Sequence, residues 1–70
     1  MTAAEWIQAF CDEIGMPAPT ETESDEVLRL AAIAAHASER IAAPIACWVA
    51  GRSGKPLNEM IEAAEGLATE

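Results

Sequence analysis

The chain is short of basic residues, of paired cysteines and of long apolar runs, and each shortage removes a class of function. Four Lys and Arg stand against twelve Asp and Glu, a formal charge of −8. Nucleic acids draw most of their protein affinity from neutralisation of phosphates by Lys and Arg, so direct DNA or RNA binding is not expected. The acidity reads first as a well-solvated surface and, more sharply, as a preference for a basic partner. Cysteine is limited to Cys11 and Cys47, each inside an apolar segment and neither in a C-x-x-C pair. They read as buried reduced thiols that behave as small hydrophobes rather than as a disulfide staple. The longest apolar stretches are broken by Arg40, Pro44 and Gly51, short of the roughly 18 uninterrupted residues that a membrane helix needs. Met1-Thr2-Ala3-Ala4-Glu5 lacks the basic start of a signal peptide. A cytoplasmic location, away from any membrane, is the expectation.

Catalytic chemistry is equally thinly represented. A metal site needs three or four His, Cys, Asp or Glu ligands at suitable spacing, and one His with two separated Cys is too little; neither metal nor cofactor is expected. Nothing local supplies a base to activate Cys11 or Cys47 as a nucleophile. The segment Gly51-Arg52-Ser53-Gly54-Lys55-Pro56 invites comparison with a phosphate-binding loop, yet Pro56 stands where a magnesium-binding hydroxyl belongs and no strand precedes it. An ordinary interhelical turn is the leading reading there, and a lone anion held by a helix start with Arg52 and Lys55 the lesser one. Ser24-Asp25-Glu26 reverses the order of an acyl-carrier attachment site and lacks its apolar residue. The chain is therefore not expected to be an enzyme.

What is present is helix. There is no alternating strand pattern and no internal repeat. Seventy residues suffice for one domain, spanning 1–70, that buries only about 60% of its unfolded surface. Burial and chain entropy nearly cancel at this size, so something further must stabilise the fold. Alanine, the best helix former, is the commonest residue, and pairing with a second copy is the other lever.

Thr2 followed by Glu5 predicts a capping box, with helix one carrying an apolar stripe of Trp6, Ile7, Phe10, Cys11 and Ile14 up to a closing Gly15. Met16-Pro17-Ala18-Pro19 is a semi-rigid loop. Acidic and hydroxyl residues between Thr20 and Glu26 suit the positive end of a second helix, expected from about Ser24. Its stripe is Val27, Leu30, Ala31, Ala34 and Ile41. Pro44 either opens a third helix in its first turn or kinks one long helix, and a break near Ile41 to Ala43 is the preferred reading. Ile45, Cys47, Trp48 and Val49 make helix three apolar on more than one side, so it is expected to be the most buried element. Gly51 to Lys55 reads as a loop, with Pro56 at the first helical position beyond it. Leu57, Met60, Ile61, Ala64 and Leu67 form the clearest amphipathic stripe, with Glu59, Glu62 and Glu65 facing water. The expected fold is all-α, a compact bundle of four short helices.

Two sets of residues stand out as candidates for binding. His36 and Arg40 are four apart, so they are expected to share a helix face and to be able to clamp a carboxylate or phosphate together. The structural alternative is that Arg40 caps the end of helix two or pairs with an acid while His36 meets a backbone carbonyl. Trp6 and Trp48 read as core anchors, whereas a partly exposed Trp would mark a contact surface.

The run Ala35-His36-Ala37-Ser38-Glu39-Arg40-Ile41-Ala42-Ala43-Pro44, continuing through Trp48-Val49-Ala50-Gly51-Arg52-Ser53-Gly54, resembles a small actinobacterial helical domain of unknown function. Its members pair a Trp-containing first helix with an A-H-x-x-x-R-x-A-A-P core and a following glycine. The domain occurs alone or fused behind a nucleotidyltransferase of the kind that attaches GMP to molybdopterin. The resemblance marks His36, Arg40, Pro44 and Gly51, and implies an accessory role near molybdenum-cofactor biosynthesis. The leading expectation is a non-catalytic module docking a partner protein through helices two and three near Pro44, with His36, Arg40, Pro44, Trp48 and Arg52 as candidate contacts. The resemblance implies a nucleotidyltransferase as that partner. The alternatives are a small-anion, nucleotide or cofactor-binding protein using His36 and Arg40, and a homodimer that completes a thin core.

Overall fold

The structure, a computed structural model, describes residues 1–69. Those residues form four helices and no strand, as the all-α expectation requires. Helix α1 spans Ala3–Ile14. The Thr2 hydroxyl accepts the Glu5 N–H at 3.1 Å and the Glu5 carboxylate accepts the Thr2 N–H at 2.7 Å, completing the capping box. The helix closes at Gly15, whose φ of 73° is the left-handed region open to glycine. From there the Gly15 and Met16 N–H groups donate back to the Asp12 and Cys11 carbonyls, a Schellman ending.

Helix α2 spans Glu21–Ala37 and starts earlier than Ser24. The cause is a second capping box directly after Pro19, in which Thr20 and Glu23 exchange bonds of 2.8 and 3.1 Å. It ends at Ser38, whose N–H and hydroxyl both donate to the Ala34 carbonyl. Helix α3 spans Ala42–Ser53, so the chain breaks over residues 38–41. Pro44 is third in α3, inside the first turn, where its missing N–H has no helical acceptor to lose. The expected loop at Gly51 is instead helix through Ser53, because only Gly54, at φ 69°, adopts the reversing conformation. Helix α4 spans Leu57–Ala68. Pro56 sits just outside it, its carbonyl accepting the Glu59 and Met60 N–H groups.

The core consists of Leu30 from α2, Ala50 from α3 and Ile61 from α4, flanked by Ile33, Cys47, Met60 and Ala64. Helix α2 is the hub, packing against both α3 and α4, and Arg29 ties it to Glu65 of α4 at 2.8 Å. Val27, Leu30, Ala31 and Ala34 follow the expected stripe, but Ile41 lies in the corner beyond the helix and is exposed. On α4, Leu57, Met60, Ile61 and Ala64 turn inward, whereas Leu67 in the last turn is exposed; Glu59, Glu62 and Glu65 face solvent.

Two expectations are overturned. Helix α3 is not the most buried element: Ile45, Trp48 and Val49 are 60%, 62% and 55% exposed, and of its residues only Ala50 is buried. It turns inward the side made of Ala43, Ala46, Cys47 and Ala50. Small side chains let two helix backbones approach closely, and the large residues are left outside. Nor does α1 join the core. It has no extensive packing against another helix, and Trp6, Ile7, Phe10 and Ile14 are exposed while Cys11 alone is buried. Pro17 and Pro19 lie in the connection between α1 and α2. Trp6 stacks on Phe10 instead, with ring centroids 5.3 Å apart, so neither Trp anchors the core. Among the described residues no helix is long and apolar enough to cross a membrane.

Candidate functional site

The outer side of α3 is the most distinctive surface of the domain. Ile41, Ile45, Trp48, Val49 and Arg52 recur at spacings of three and four, which places them along one face. All five are exposed. Arg52 lies over the Trp48 ring, its guanidinium carbon 4.8 Å from the ring centroid. That contact spreads an aromatic plane and a fixed positive charge over one turn of helix, a combination suited to recognising protein surface. At the other end, Ile41 and Ile45 line a shallow groove of about 600 Å³ together with Ser38, Glu39, Ala42 and Ala46.

The segment around α3 is also the basic part of an acidic chain. Arg40, Arg52 and Lys55 flank it, and from Arg40 to Lys55 there is no acidic residue. Helix α1 is the converse, with Glu5, Asp12 and Glu13 and no basic residue. Between α2 and α4 the surface is acidic, lined by Asp25, Glu26, Glu62 and Glu65, with Arg29 already paired to Glu65.

The structure brings some of the expected contacts together and separates others. Trp48 and Arg52 touch. Pro44 is exposed at the start of the same helix. His36 is exposed in the last turn of α2, which ends at Ala37. Arg40 therefore lies beyond the helix, in the corner where its carbonyl accepts the Ala43 N–H. The spacing of four no longer puts the two on one helical face, because that relation needs unbroken helix between them. In the Gly51–Lys55 segment the Ser53 hydroxyl donates to the Ala50 carbonyl at 2.6 Å and accepts the Lys55 N–H at 3.1 Å. Its polar groups serve the turn between α3 and α4.

Cys47 faces inward, its thiol 3.7 Å from the Val27 carbonyl, and burial pushes its pKa above the usual thiol value. That favours the protonated thiol over the nucleophilic thiolate. Both cysteines are free thiols. Among the described residues no three His, Cys, Asp or Glu come together as a metal site.

The whole chain, residues 1–70, matches the sequence family described as Domain of unknown function (DUF6457). The chain belongs to that family. No curated protein and no solved structure matches it. The family match covers the full length of this small domain and assigns it no activity. Ile41, Ile45 and Val49 were read from the sequence as interior. Their spacing with Trp48 and Arg52, opposite a side of alanines, is the signal that they form an outer face.

Proposed function

We propose that the domain is a non-catalytic docking module that binds a protein partner through the outer face of α3 and the corner leading into it. The exposed row Ile41, Ile45, Trp48 and Val49, closed by Arg52 over Trp48, is the observation that carries this reading. A small acidic protein that leaves such a row in water gains by covering it, since contiguous apolar patches on monomers mark binding sites. The basic flank of Arg40, Arg52 and Lys55 suits an acidic or helix-end contact on the partner. The resemblance in the His36 to Pro44 run supports a nucleotidyltransferase of molybdenum-cofactor synthesis as that partner, with the domain in an accessory role in the cytoplasm.

The test is a titration of the purified domain against such a nucleotidyltransferase, followed by Trp fluorescence. Binding is expected for the wild-type chain, lost with Trp48→Glu, and kept with Leu28→Glu, which changes an exposed α2 residue. Nucleotide turnover by the domain alone, abolished by Arg40→Ala, would overturn the docking reading. Equal binding by the Trp48→Glu variant would move the site off α3.

A further inference from the structure

The domain is too extended for its mass. Its surface of 5491 Å² compares with about 4,200 Å² for a compact monomer of 7.4 kDa. The excess is about 1,300 Å², more than the roughly 800 Å² that each partner contributes to a stable interface. Its radius of gyration of 12.8 Å likewise exceeds the roughly 11 Å expected for this length. Large apolar residues stand exposed in rows on two helices, Trp6, Ile7, Phe10 and Ile14 on α1 and the outer face of α3.

These two faces match each other. Each belongs to a helix of 12 residues, about 18 Å long. Each presents a row of large apolar residues that includes an aromatic. Their flanking charges are opposite, acidic on α1 and basic from Arg40 to Lys55. Within one chain α1 has no extensive packing against α3, and the large residues of both faces are exposed. A six-residue connection that includes Pro17 and Pro19 joins α1 to α2.

We infer that two copies of this chain pair by exchange, α1 of each lying along the outer face of α3 of the other. The symmetric pair makes this contact twice, so the interface is self-complementary and closed. It unites opposite charges in molecules that each carry −8 and withdraws both exposed tryptophans from water. The inference rests on the docking reading of α3 and names its occupant in the free protein. A nucleotidyltransferase would then meet the paired form or displace one α1.

The experiment is mass measurement by sedimentation equilibrium across micromolar to millimolar protein, with Trp fluorescence on the same samples. The wild-type chain is expected at twice 7.4 kDa, with emission shifting blue as the pair forms. Trp6→Glu/Phe10→Glu and, separately, Trp48→Glu are expected to be monomeric. All three positions are exposed in the single chain, so circular dichroism should show the helices intact. Mixing the two variants in equal amounts restores one of the two contacts, an intact α1 on an intact α3, and should recover a heterodimer. A monomeric wild type overturns the inference, and so does a mixture that stays monomeric, which would assign the contact to like helices. The α3 docking reading is judged separately, by loss of nucleotidyltransferase binding in the Trp48→Glu chain.

Discussion

The Arg52 guanidinium carbon sits 4.8 Å from the centre of the Trp48 ring, one turn along the outer side of α3. An exposed cation on an aromatic face stabilises by about 0.5–1 kcal/mol. Arg52→Ala should lower the melting temperature slightly and change the Trp48 emission. Arg52→Lys should keep the charge but lose the planar stacking of guanidinium on indole. Thermal denaturation with fluorescence detection checks both, and an unchanged spectrum in the alanine variant would show that the contact is absent in solution.

The three-helix unit depends on a thin core. Leu30 is 4% exposed and Ile61 6%, and truncating such residues to alanine costs about 2–5 kcal/mol. Leu30→Ala should leave the domain largely unfolded at ambient temperature, whereas Leu28→Ala, at a position 67% exposed, should shift stability little. Urea denaturation followed by circular dichroism separates the two.

Glu5 gives the fold an acid limit at its first helix. The bond from the Thr2 backbone N–H, helped by the Thr2 hydroxyl, lowers its pKa from the ordinary 4.5. A carboxyl whose folded pKa is depressed stabilises the fold above its unfolded pKa, and the effect is lost as pH falls through the folded value. The start of α1 should therefore fray below about pH 4.5. Carbon-detected NMR titration of the Glu5 carboxyl should place its midpoint below 4.5 in the wild type and return it upward in Thr2→Ala.

Cys47 should resist alkylation. Burial raises its pKa, and its thiol faces the Val27 carbonyl. Iodoacetamide at pH 8 should modify it more slowly than a free cysteine peptide, and urea should abolish the protection. Rapid modification in the native protein would mean that α3 separates from α2.

The helices and their ends were largely legible in the sequence because they depend on neighbours in the chain. The Thr2 and Glu5 box, the Gly15 ending, the Pro44 position and the α4 stripe as far as Ala64 are local chemistry and form as expected, whereas Leu67 is exposed. Thr20 and Glu23 repeat the first box and were equally readable; the early start of α2 followed from them. Gly51 misled because a glycine permits a helix to end without requiring it, and only Gly54 takes the reversing φ.

Which face of each helix is buried was decided by tertiary structure. Helix α3 is apolar on two sides, and composition favours burying the larger one, Ile45, Trp48 and Val49. The side turned inward is the small one, Ala43, Ala46, Cys47 and Ala50, and small side chains let helix backbones approach closely. The end of α2 at Ala37 separates His36 from Arg40, and the packing of α2, α3 and α4 leaves most of the α1 stripe exposed. A sequence states how much apolar surface must be covered. The geometry of packing determines which part a single chain covers and which it leaves for another molecule.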